Sequence, residues 1–362
     1  AKIVFMKYFT LLFTFLLVVP LVAQITDVKK KDSCYFKYDK NGERIVTQQQ
    51  RRYAEWECGK LAGVIDCSTE LDYSQELQVY FKKSTDNVNL AGVGKPYTGK
   101  CESCHMNGTL HGRITFLNGK QDGIDTTCFR SGCLERITSH VQGAENGTWY
   151  QYFDTTNYLK EEMNFSVGEK HGKHIEFRQT RDSNNVVGID TVLWENYKYG
   201  ILDGTKRSYY RGSRIKREVE YKDGVFDGDF KIYNLKGVVI EELNYKEGEK
   251  DGEAKYYYDD GQLLKTENWK MGIKNGEFKV FYYQGHIQES ENYKKGKKEG
   301  WFEKFYPDSK PKQRALYKKD ELIEEHRYDE HGRETYTFGA QPDGGDEDDA
   351  MPSGKKKKKK EK

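Results

Sequence analysis

The sequence contains little proline, almost no net charge and no apolar run long enough to cross a membrane. Only 6 of its 362 residues are proline, and 60 lysines and arginines against 58 aspartates and glutamates leave a formal net charge of +2. This near balance predicts no general attraction to nucleic acids or other polyanions. Hydrophobic residues make up only 36% of the chain. That content favours a thin sheet with much surface, because a compact domain of this length buries a larger apolar fraction.

Recognisable catalytic and cofactor-binding motifs are missing as well. The 8 histidines are scattered along the chain, and His171 and His174 have no cysteine or carboxylate motif close to them in the sequence. The paired glycines belong to one repeat, described next, which leaves none to form a phosphate-binding loop. We therefore expect a protein that is not an enzyme and that has no catalytic residue, no cofactor and no bound metal.

Two glycines four residues apart return along most of the chain with a period of 24 residues. The pairs are Gly119/Gly123, Gly143/Gly147, Gly168/Gly172, Gly200/Gly204, Gly224/Gly228, Gly248/Gly252, Gly272/Gly276 and Gly296/Gly300. Five of the seven intervals are 24 residues, one is 25 and one is 32, so an insertion of eight residues lies around Thr180 to Asp190. Such a period predicts tandem supersecondary units that stabilise one another by stacking.

Each unit is predicted to contain two strands and two turns. An aromatic residue precedes most of the first glycines by three positions, and a further turn glycine follows most second glycines by eight or nine. The segments between the turns are rich in aromatic and β-branched residues, which is typical of strands. Aromatic residues lie two and five positions after the second glycine, and this odd spacing predicts a bulge in the first strand. We predict an all-β fold, an elongated antiparallel β-meander of tandem hairpin repeats with a small mixed N-terminal cap.

The repeating pattern has a known counterpart. The pattern Tyr-Lys-x-Gly-x-x-x-Gly-x-x-x-x-Tyr, from Tyr245 to Tyr257, resembles MORN repeats and in particular the MORN-variant arrays of bacteria. The resemblance extends from Lys95 to about Phe338. It implies an array that serves as a scaffold, a membrane-surface binder or an assembly platform and that carries no fixed catalytic residues. The first units depart from the pattern, because they hold cysteines where later units hold aromatic residues.

Period and composition divide the chain into four segments. Residues 1–23 resemble a secretory signal peptide, because Lys7 precedes an apolar run of about fifteen residues, shorter than the roughly twenty of a membrane span. Residues 24–94 are predicted to form the cap and residues 95–338 the array, with the insertion near 180–190. Residues 339–362 form an acidic and then lysine-rich tail that is predicted to be disordered. We expect cleavage after Ala23 and a soluble exported protein in the periplasm or at the periplasmic face of the outer membrane.

Export would allow the 7 cysteines to form disulfides. If residues 130–131 form the tip of a hairpin, Cys128 lies directly opposite Cys133 and within disulfide distance. We therefore predict a disulfide between Cys128 and Cys133.

Two alternatives remain for the cysteines between Cys101 and Cys133. The segment Cys101-Glu-Ser-Cys104-His matches the c-type haem attachment pattern. The spacing of Cys101, Cys104, Cys128 and Cys133 is also acceptable for zinc.

The repeated aromatic residues are the predicted interaction surface. The candidate residues are Tyr245, Tyr257, Trp269, Tyr293 and Trp301. We expect a scaffold or protein-interaction surface in a cell-envelope complex, with envelope or outer-membrane proteins as partners and no specific nucleic acid. The alternatives are a module that binds glycan, peptidoglycan or a membrane surface, and a metal- or haem-binding redox protein. Lys355–Lys360 are expected to make at most a weak contact with anionic lipid.

Overall fold

The computed structural model describes residues 63–83 and 95–339, together with the backbone of two short strands further towards the N-terminus. The predicted signal peptide and C-terminal tail lie outside the described residues. The chain divides into two compact units, Ala1–Lys160 with Ser183–Val187 and Glu161–Asp182 with Gly188–Lys362. In the described part of the chain, no helix is long and apolar enough to span a membrane.

The first unit contains twelve complete strands and one short helix in its described part. The strands are β1 (Lys37–Tyr38), β2 (Arg44–Ile45), β3 (Ile65–Asp66), β4 (Leu71–Ser74), β5 (Val79–Lys82), β6 (Gly99–Cys104), β7 (Leu110–Leu117), β8 (Lys120–Gln121), β9 (Gly123–Cys128), β10 (Leu134–Val141), β11 (Ala144–Glu145) and β12 (Gly147–Tyr152). The helix is α1 (Cys67–Glu70). Strand β3 pairs in parallel with β6, whereas β4 and β5 form a separate hairpin.

The remaining strands continue the same alternation of long and short segments. They are β13 (Leu159–Ser166), β14 (Glu169–Arg181), β15 (Val187–Lys198), β16 (Ile201–Leu202), β17 (Gly204–Tyr209), β18 (Ile215–Lys222), β19 (Val225–Tyr233), β20 (Val239–Lys246), β21 (Glu249–Lys250), β22 (Gly252–Tyr257), β23 (Leu263–Lys270), β24 (Ile273–Lys274), β25 (Gly276–Phe281), β26 (Ile287–Lys294), β27 (Lys297–Lys298), β28 (Gly300–Phe305), β29 (Pro311–Lys318), β30 (Glu321–Tyr328) and β31 (Glu334–Phe338). Twenty-seven strands belong to one antiparallel meander sheet, in which β3 is the parallel exception. The predicted all-β meander is confirmed.

The first glycine of each pair closes a two-residue hairpin turn. Lys246 pairs with Glu249, so the loop consists of Glu247 and Gly248, whose φ angles are 51° and 85°. Two successive positive φ angles define the type I′ turn, whose twist matches that of the flanking strands. The period of first glycines in the sequence is therefore the period of these turns.

The second glycine lies opposite the recurring aromatic position of the repeat pattern, and Gly276 illustrates why glycine is favoured there. Gly276 pairs with Tyr293 and has a φ angle of 114°. A Cβ atom added there would lie 3.0 Å from Cβ of Asn268. Both the backbone angle and the contact require glycine.

A register irregularity precedes the longer turn at the other end of each hairpin. Between Tyr256 and Tyr257 the pairing with β23 moves from Lys265 to Leu263, so the extra residue is Leu264 of the second strand. The predicted bulge in the first strand is therefore wrong here, because the residues of β22 alternate regularly between the two faces. The chain then turns through Tyr258 to Gln262, with Gly261 donating to the carbonyl oxygen of Tyr258 at 2.9 Å. The insertion lengthens one such hairpin, because β14 has 13 residues and β15 has 12.

Three sets of hydrogen bonds tie each repeat to the next in the second unit. The first-glycine amides donate to carbonyl oxygens of the preceding repeat, as Gly272 does to Lys250 at 2.8 Å. The residue before each second glycine accepts from the next turn, as Asp251 does from the Met271 amide at 3.2 Å. Tyrosine hydroxyls at the longer turns donate to carbonyl oxygens one repeat further on; these tyrosines are Tyr210, Tyr258, Tyr282 and Tyr306.

Side chains of the second unit separate onto two faces of the sheet. One face, here called the packed face, carries the buried residues Val219, Leu243, Ala254, Phe278 and Phe302. Alternate residues point to the opposite face, which we call the charged face because ion pairs such as Lys255–Glu253 lie there. Most of the apolar core of this unit therefore lies on one side of the strands, whereas Ile175, which pairs with Glu162, is buried on the other side. The first unit has its own core cluster of Leu71, Cys101 and Phe116.

Candidate functional site

The five predicted interaction residues do not lie on one surface. Tyr245, Trp269 and Tyr293 pair with second glycines and lie on the packed face. Tyr257 and Trp301 lie next to packed-face residues along their strands and therefore point to the charged face. All five are half-buried rather than exposed.

The aromatic residues of the packed face form a continuous edge-to-face series. Ring centroids are 5.5 Å apart between Trp269 and Phe278, 5.1 Å between Phe278 and Tyr293, and 5.4 Å between Tyr293 and Phe302. This is the favoured geometry for aromatic pairs, worth about 0.5–1.5 kcal/mol for each pair beyond the burial of apolar area. These tyrosine and tryptophan rings therefore contribute to the packing of the sheet.

Lysines of the same face cover several of these rings. Lys250 Nζ lies 5.2 Å from the Trp269 centroid, and Lys274 Nζ lies 4.5 Å from that of Tyr293. On the charged face, the Arg314 guanidinium lies 4.6 Å from the Trp301 ring. The cations hold these positions through cation–π attraction, so the ring faces are already occupied by the chain itself.

The apolar pattern of the packed face is interrupted by polar side chains between residues 161 and 206. His174 and Lys206 lie two residues after a second glycine, where later repeats have Phe230, Phe278 and Phe302. Glu195 lies two residues before an aromatic residue, where the next two repeats have Val219 and Leu243 and the two after them have Glu267 and Glu291. Three core positions of the repeat thus hold an imidazole, an ammonium group and a carboxylate.

These polar groups form one connected network. His174 Nδ1 lies 3.0 Å from Glu195 Oε2, and the Lys206 ammonium lies 2.6 Å from Glu195 Oε1. The Tyr197 hydroxyl donates to Glu195 Oε2 at 2.8 Å. Only 4% of the His174 side chain and 6% of the Glu195 side chain are exposed. Burial on this scale is tolerated because each polar atom of the carboxylate has a donor.

The other ring nitrogen of His174 faces two further carboxylates. His174 Nε2 lies 2.9 Å from Glu161 Oε1 and 3.6 Å from Glu176 Oε1. Glu161 and Glu176 are direct partners in the β13–β14 ladder, in which Met163 pairs with His174. The ligand atoms of Glu161, His174 and Glu176 all lie within 4.8 Å of one another.

The charge state of the network follows from burial and hydrogen bonding. Burial by itself would raise the pKa of Glu195, but hydrogen bonds from Lys206, Tyr197 and His174 outweigh it and hold the pKa below its usual value. Burial opposes the charged form of His174, but the hydrogen bonds with Glu161 and Glu195 outweigh it and raise the pKa of the imidazole. The stable arrangement is an ionised Glu195 with donors on every side.

The sequence shows no ligand motif at His174, yet three glutamates surround it in the structure. Its three glutamates are 13, 2 and 21 residues away in the sequence and meet it only through the hairpin register. A signal was nevertheless present in the repeat alignment, because the array places a histidine where it otherwise places phenylalanine. His171 lies elsewhere, against the Tyr199 ring at 5.0 Å.

The predicted Cys128–Cys133 disulfide is also wrong. Both residues are buried and are not joined by a disulfide. The observed register pairs Cys128 with Leu134, and it is the Phe129 amide that donates to the Cys133 carbonyl oxygen at 2.8 Å. The tip of the turn therefore has three residues, 130–132, one more than predicted, and Cys133 does not lie opposite Cys128.

Cys101 instead forms a disulfide with Cys67, with Cα atoms 5.0 Å apart. The bond joins α1 to β6, next to the parallel pairing of β3 with β6. Cys104 is disulfide-bonded as well. Neither sulfur is then a thiolate or a haem attachment point, so the structure contradicts the zinc and haem interpretations of the cysteine cluster.

The fold and the repeat geometry define a protein built from tandem β-hairpin repeats. The sequence model of the MORN repeat variant matches residues 250–271 and 274–295. The chain is therefore a MORN-like repeat protein, and repeats of this kind indicate a role in protein or membrane interaction. No curated protein matches the chain.

Three solved structures show weak similarity. The chain is 12% identical to chains in the crystal structures of TcdB2–TccC3–Cdc42 and of TcdB2–TccC3, with TM-scores of 0.15 and 0.14. It is 13% identical to a chain of the Tc holotoxin pore of Photorhabdus luminescens, with a TM-score of 0.16. The matches cover 65%, 65% and 67% of this chain but only 15%, 16% and 15% of those chains. These values support no conclusion about this protein.

Proposed function

We propose that the protein is an exported, non-enzymatic scaffold whose array binds another protein of the cell envelope. The observation that carries the proposal is a row of exposed lysines, one in each of six successive repeats, at the end of the sheet where the two-residue turns lie. These residues, here called the lysine edge, are Lys198, Lys222, Lys246, Lys270, Lys294 and Lys318. Each directly follows the packed-face aromatic residue of its repeat.

The lysine edge is regular because the repeats are regular. Successive members are separated by two strands, or about 10 Å at the usual strand spacing. Within the described residues, Lys270 forms an ion pair with Asp251 at 3.2 Å, and the other five form none. The ammonium groups are therefore available to acidic groups of a partner.

Exposed apolar side chains lie directly opposite several of these lysines. Ile201 pairs with Lys198, Val225 with Lys222 and Ile273 with Lys270. The apolar residues are 51%, 47% and 51% exposed. A repeated combination of an apolar side chain and a cation suits a protein surface that offers apolar contacts within an acidic rim.

The arrangement favours a protein partner over a glycan. Stacking on sugars needs free aromatic faces, whereas Trp269 and Tyr293 carry lysine ammonium groups and Trp301 carries a guanidinium. Binding to nucleic acid is not favoured either, because the net charge of the chain is only +2. Acidic turn residues such as Asp227 and Asp251 also lie beside the lysine edge.

Export and the envelope location are part of the proposal and rest on the sequence of residues 1–23. The mass of the mature N-terminus tests them. A protein that begins at Gln24 supports export, and a chain that still begins before Gln24 contradicts cleavage.

Recovery of partners from detergent-solubilised envelope tests the interaction itself. Wild-type protein is compared with Lys222→Glu/Lys246→Glu, which reverses two neighbouring charges of the lysine edge. The matched control is Arg211→Glu/Lys236→Glu, which reverses two exposed charges at the longer turns. We expect wild type and the control to retain the same envelope protein in stoichiometric amounts and the lysine-edge variant to lose it. Failure of wild type to retain any protein, or equal retention by all three, contradicts the proposal.

A further inference from the structure

The repeat pattern is broken where Glu161, Glu176 and Glu195 converge on His174. In the four repeats that follow, the positions of His174 and Lys206 hold the apolar residues Phe230, Ala254, Phe278 and Phe302. A buried imidazole, carboxylate and ammonium group each cost desolvation free energy that an apolar residue does not. Departures of this kind from an otherwise consistent sequence are expected at functional sites.

Two carboxylates lie side by side in the β13–β14 ladder, and a cation between them would relieve their repulsion. Glu161 and Glu176 are direct cross-strand partners, and like charges in this position repel each other. The nearby Lys206 is bonded to Glu195, and Lys170 lies over the Tyr197 ring at 5.0 Å. Neither lysine is placed between the two carboxylates, whereas His174 Nε2 is.

The orientation of the imidazole is set from its far side. Glu195 is an ionised carboxylate and can only accept, so the proton between Glu195 and His174 belongs to Nδ1. Lys206 and Tyr197 fix the carboxylate in turn. Nε2 faces Glu161 and Glu176, and a bound cation would displace the Nε2 proton and take this nitrogen as a ligand. A histidine held by a carboxylate through one nitrogen, with the other nitrogen directed at further ligands, is the usual arrangement around protein-bound zinc.

From this geometry we propose that Glu161, His174 and Glu176 bind a divalent cation of the zinc class. Their ligand atoms lie within 4.8 Å of one another, so that small side-chain rotations would bring all three to zinc–ligand distances of about 2.0–2.2 Å. One imidazole nitrogen and two carboxylate oxygens suit zinc. Glu176 is 44% exposed at its side chain, which provides a route from solvent and leaves room for water as a further ligand. The proposal is independent of the lysine edge.

Titration calorimetry with zinc chloride tests the site on the full chain after treatment with a chelator and dialysis. The test variant is Glu176→Gln, a change at a half-exposed position that preserves shape and removes the charge. The matched control is Glu162→Gln, next to Glu161 in β13 but on the other face, where it pairs with Lys173 at 2.8 Å. Glu195→Gln tests the residue that positions His174.

We expect wild type and Glu162→Gln to bind one zinc ion with equal affinity. Glu176→Gln is expected to bind at least tenfold more weakly, and Glu195→Gln about 10- to 100-fold more weakly, the range found for outer-shell partners. Thermal unfolding with and without zinc gives a second readout, because only a variant that binds the ion should gain stability. No binding by wild type, or the same affinity in wild type and Glu176→Gln, overturns the proposal. Unchanged thermal unfolding of wild type at saturating zinc does so as well.

Discussion

At the residue scale, Glu195 is the centre of the network that departs from the repeat. Its carboxylate receives the Lys206 ammonium, the Tyr197 hydroxyl and His174 Nδ1. A charge buried in this way is stable only while its partners remain, because removing one partner leaves the other charge without compensation. Replacing one member of the network is therefore expected to lower the free energy of unfolding.

Lys206→Met is expected to destabilise the second unit by about 3 kcal/mol, because Glu195 would remain buried without its cation. Urea unfolding measures the change. The control is Lys173→Met, which breaks the more exposed Lys173–Glu162 pair and should change the free energy of unfolding by about 0–1 kcal/mol. Equal effects of the two substitutions would show that Glu195 does not depend on Lys206.

Gly276 is a second residue for which the backbone dictates the side chain. Its φ angle is 114°, and an added Cβ would meet Asn268. Gly276→Ala is expected to lower the free energy of unfolding by about 1–3 kcal/mol, the cost of holding a non-glycine residue in such a conformation. Gly285→Asn is the control, since its turn has a φ angle of 87° with no atom within 4 Å of an added Cβ, and asparagine tolerates this region. The expectation fails if the alanine variant is as stable as the asparagine variant.

At the scale of the element, each repeat is a hairpin whose two ends depend on different residues. The two-residue turn needs positive φ at two positions, as at Glu247 and Gly248, and this requirement makes the glycine period visible in the sequence. The longer turn is held by a tyrosine hydroxyl that reaches the next repeat, as Tyr282 does to the Phe305 carbonyl oxygen at 2.8 Å. Each hairpin is therefore bonded to its neighbour at both ends.

In the last hairpin, β30–β31, the titratable residue His326 bonds to Glu324 of its own strand and to Glu334 of the facing strand. Hydrogen bonds with Glu324 and Glu334 raise the pKa of His326 above its usual value of 6.5. A raised pKa in the folded state means that the stabilisation is fully present below pH 6.5 and is lost as the pH rises through the folded-state pKa.

The difference in thermal midpoint between wild type and His326→Gln measures this contribution. It should be largest and constant below pH 6.5 and should shrink as the pH rises beyond that value. A difference that stays constant across the range, or that grows with rising pH, would contradict the assignment.

Sequence and structure agree where the signal is local and differ where it is not. The two-residue turns were predictable, because glycine positions report on neighbouring residues. The position of the irregularity beside Tyr257 was not, because only the pairing between strands shows that Leu264 is the extra residue. The Cys67–Cys101 disulfide was not, because it depends on β3 lying parallel to β6, a pairing of segments far apart in the chain. The meeting of His174 with Glu195 depends in the same way on the registers of several strands.

At the scale of the whole molecule, the protein is an array in which one structural unit is used repeatedly with local variation. In such arrays each repeat packs mainly against its neighbours, so a residue at a fixed place in the unit becomes a row along the sheet. The lysine edge arises in this way. Variation at single repeats, as at His174, adds a local site without changing the fold.

The most direct measurement of the central claim is site-specific photo-cross-linking in intact cells. A photoreactive residue is placed at Val225, next to the lysine edge, or at Leu235, on a longer turn; the side chains are 47% and 59% exposed. The account predicts that one envelope protein is cross-linked from position 225 and is absent from position 235. Equal cross-linking from both positions, or none from position 225, would contradict a role of the lysine edge in binding.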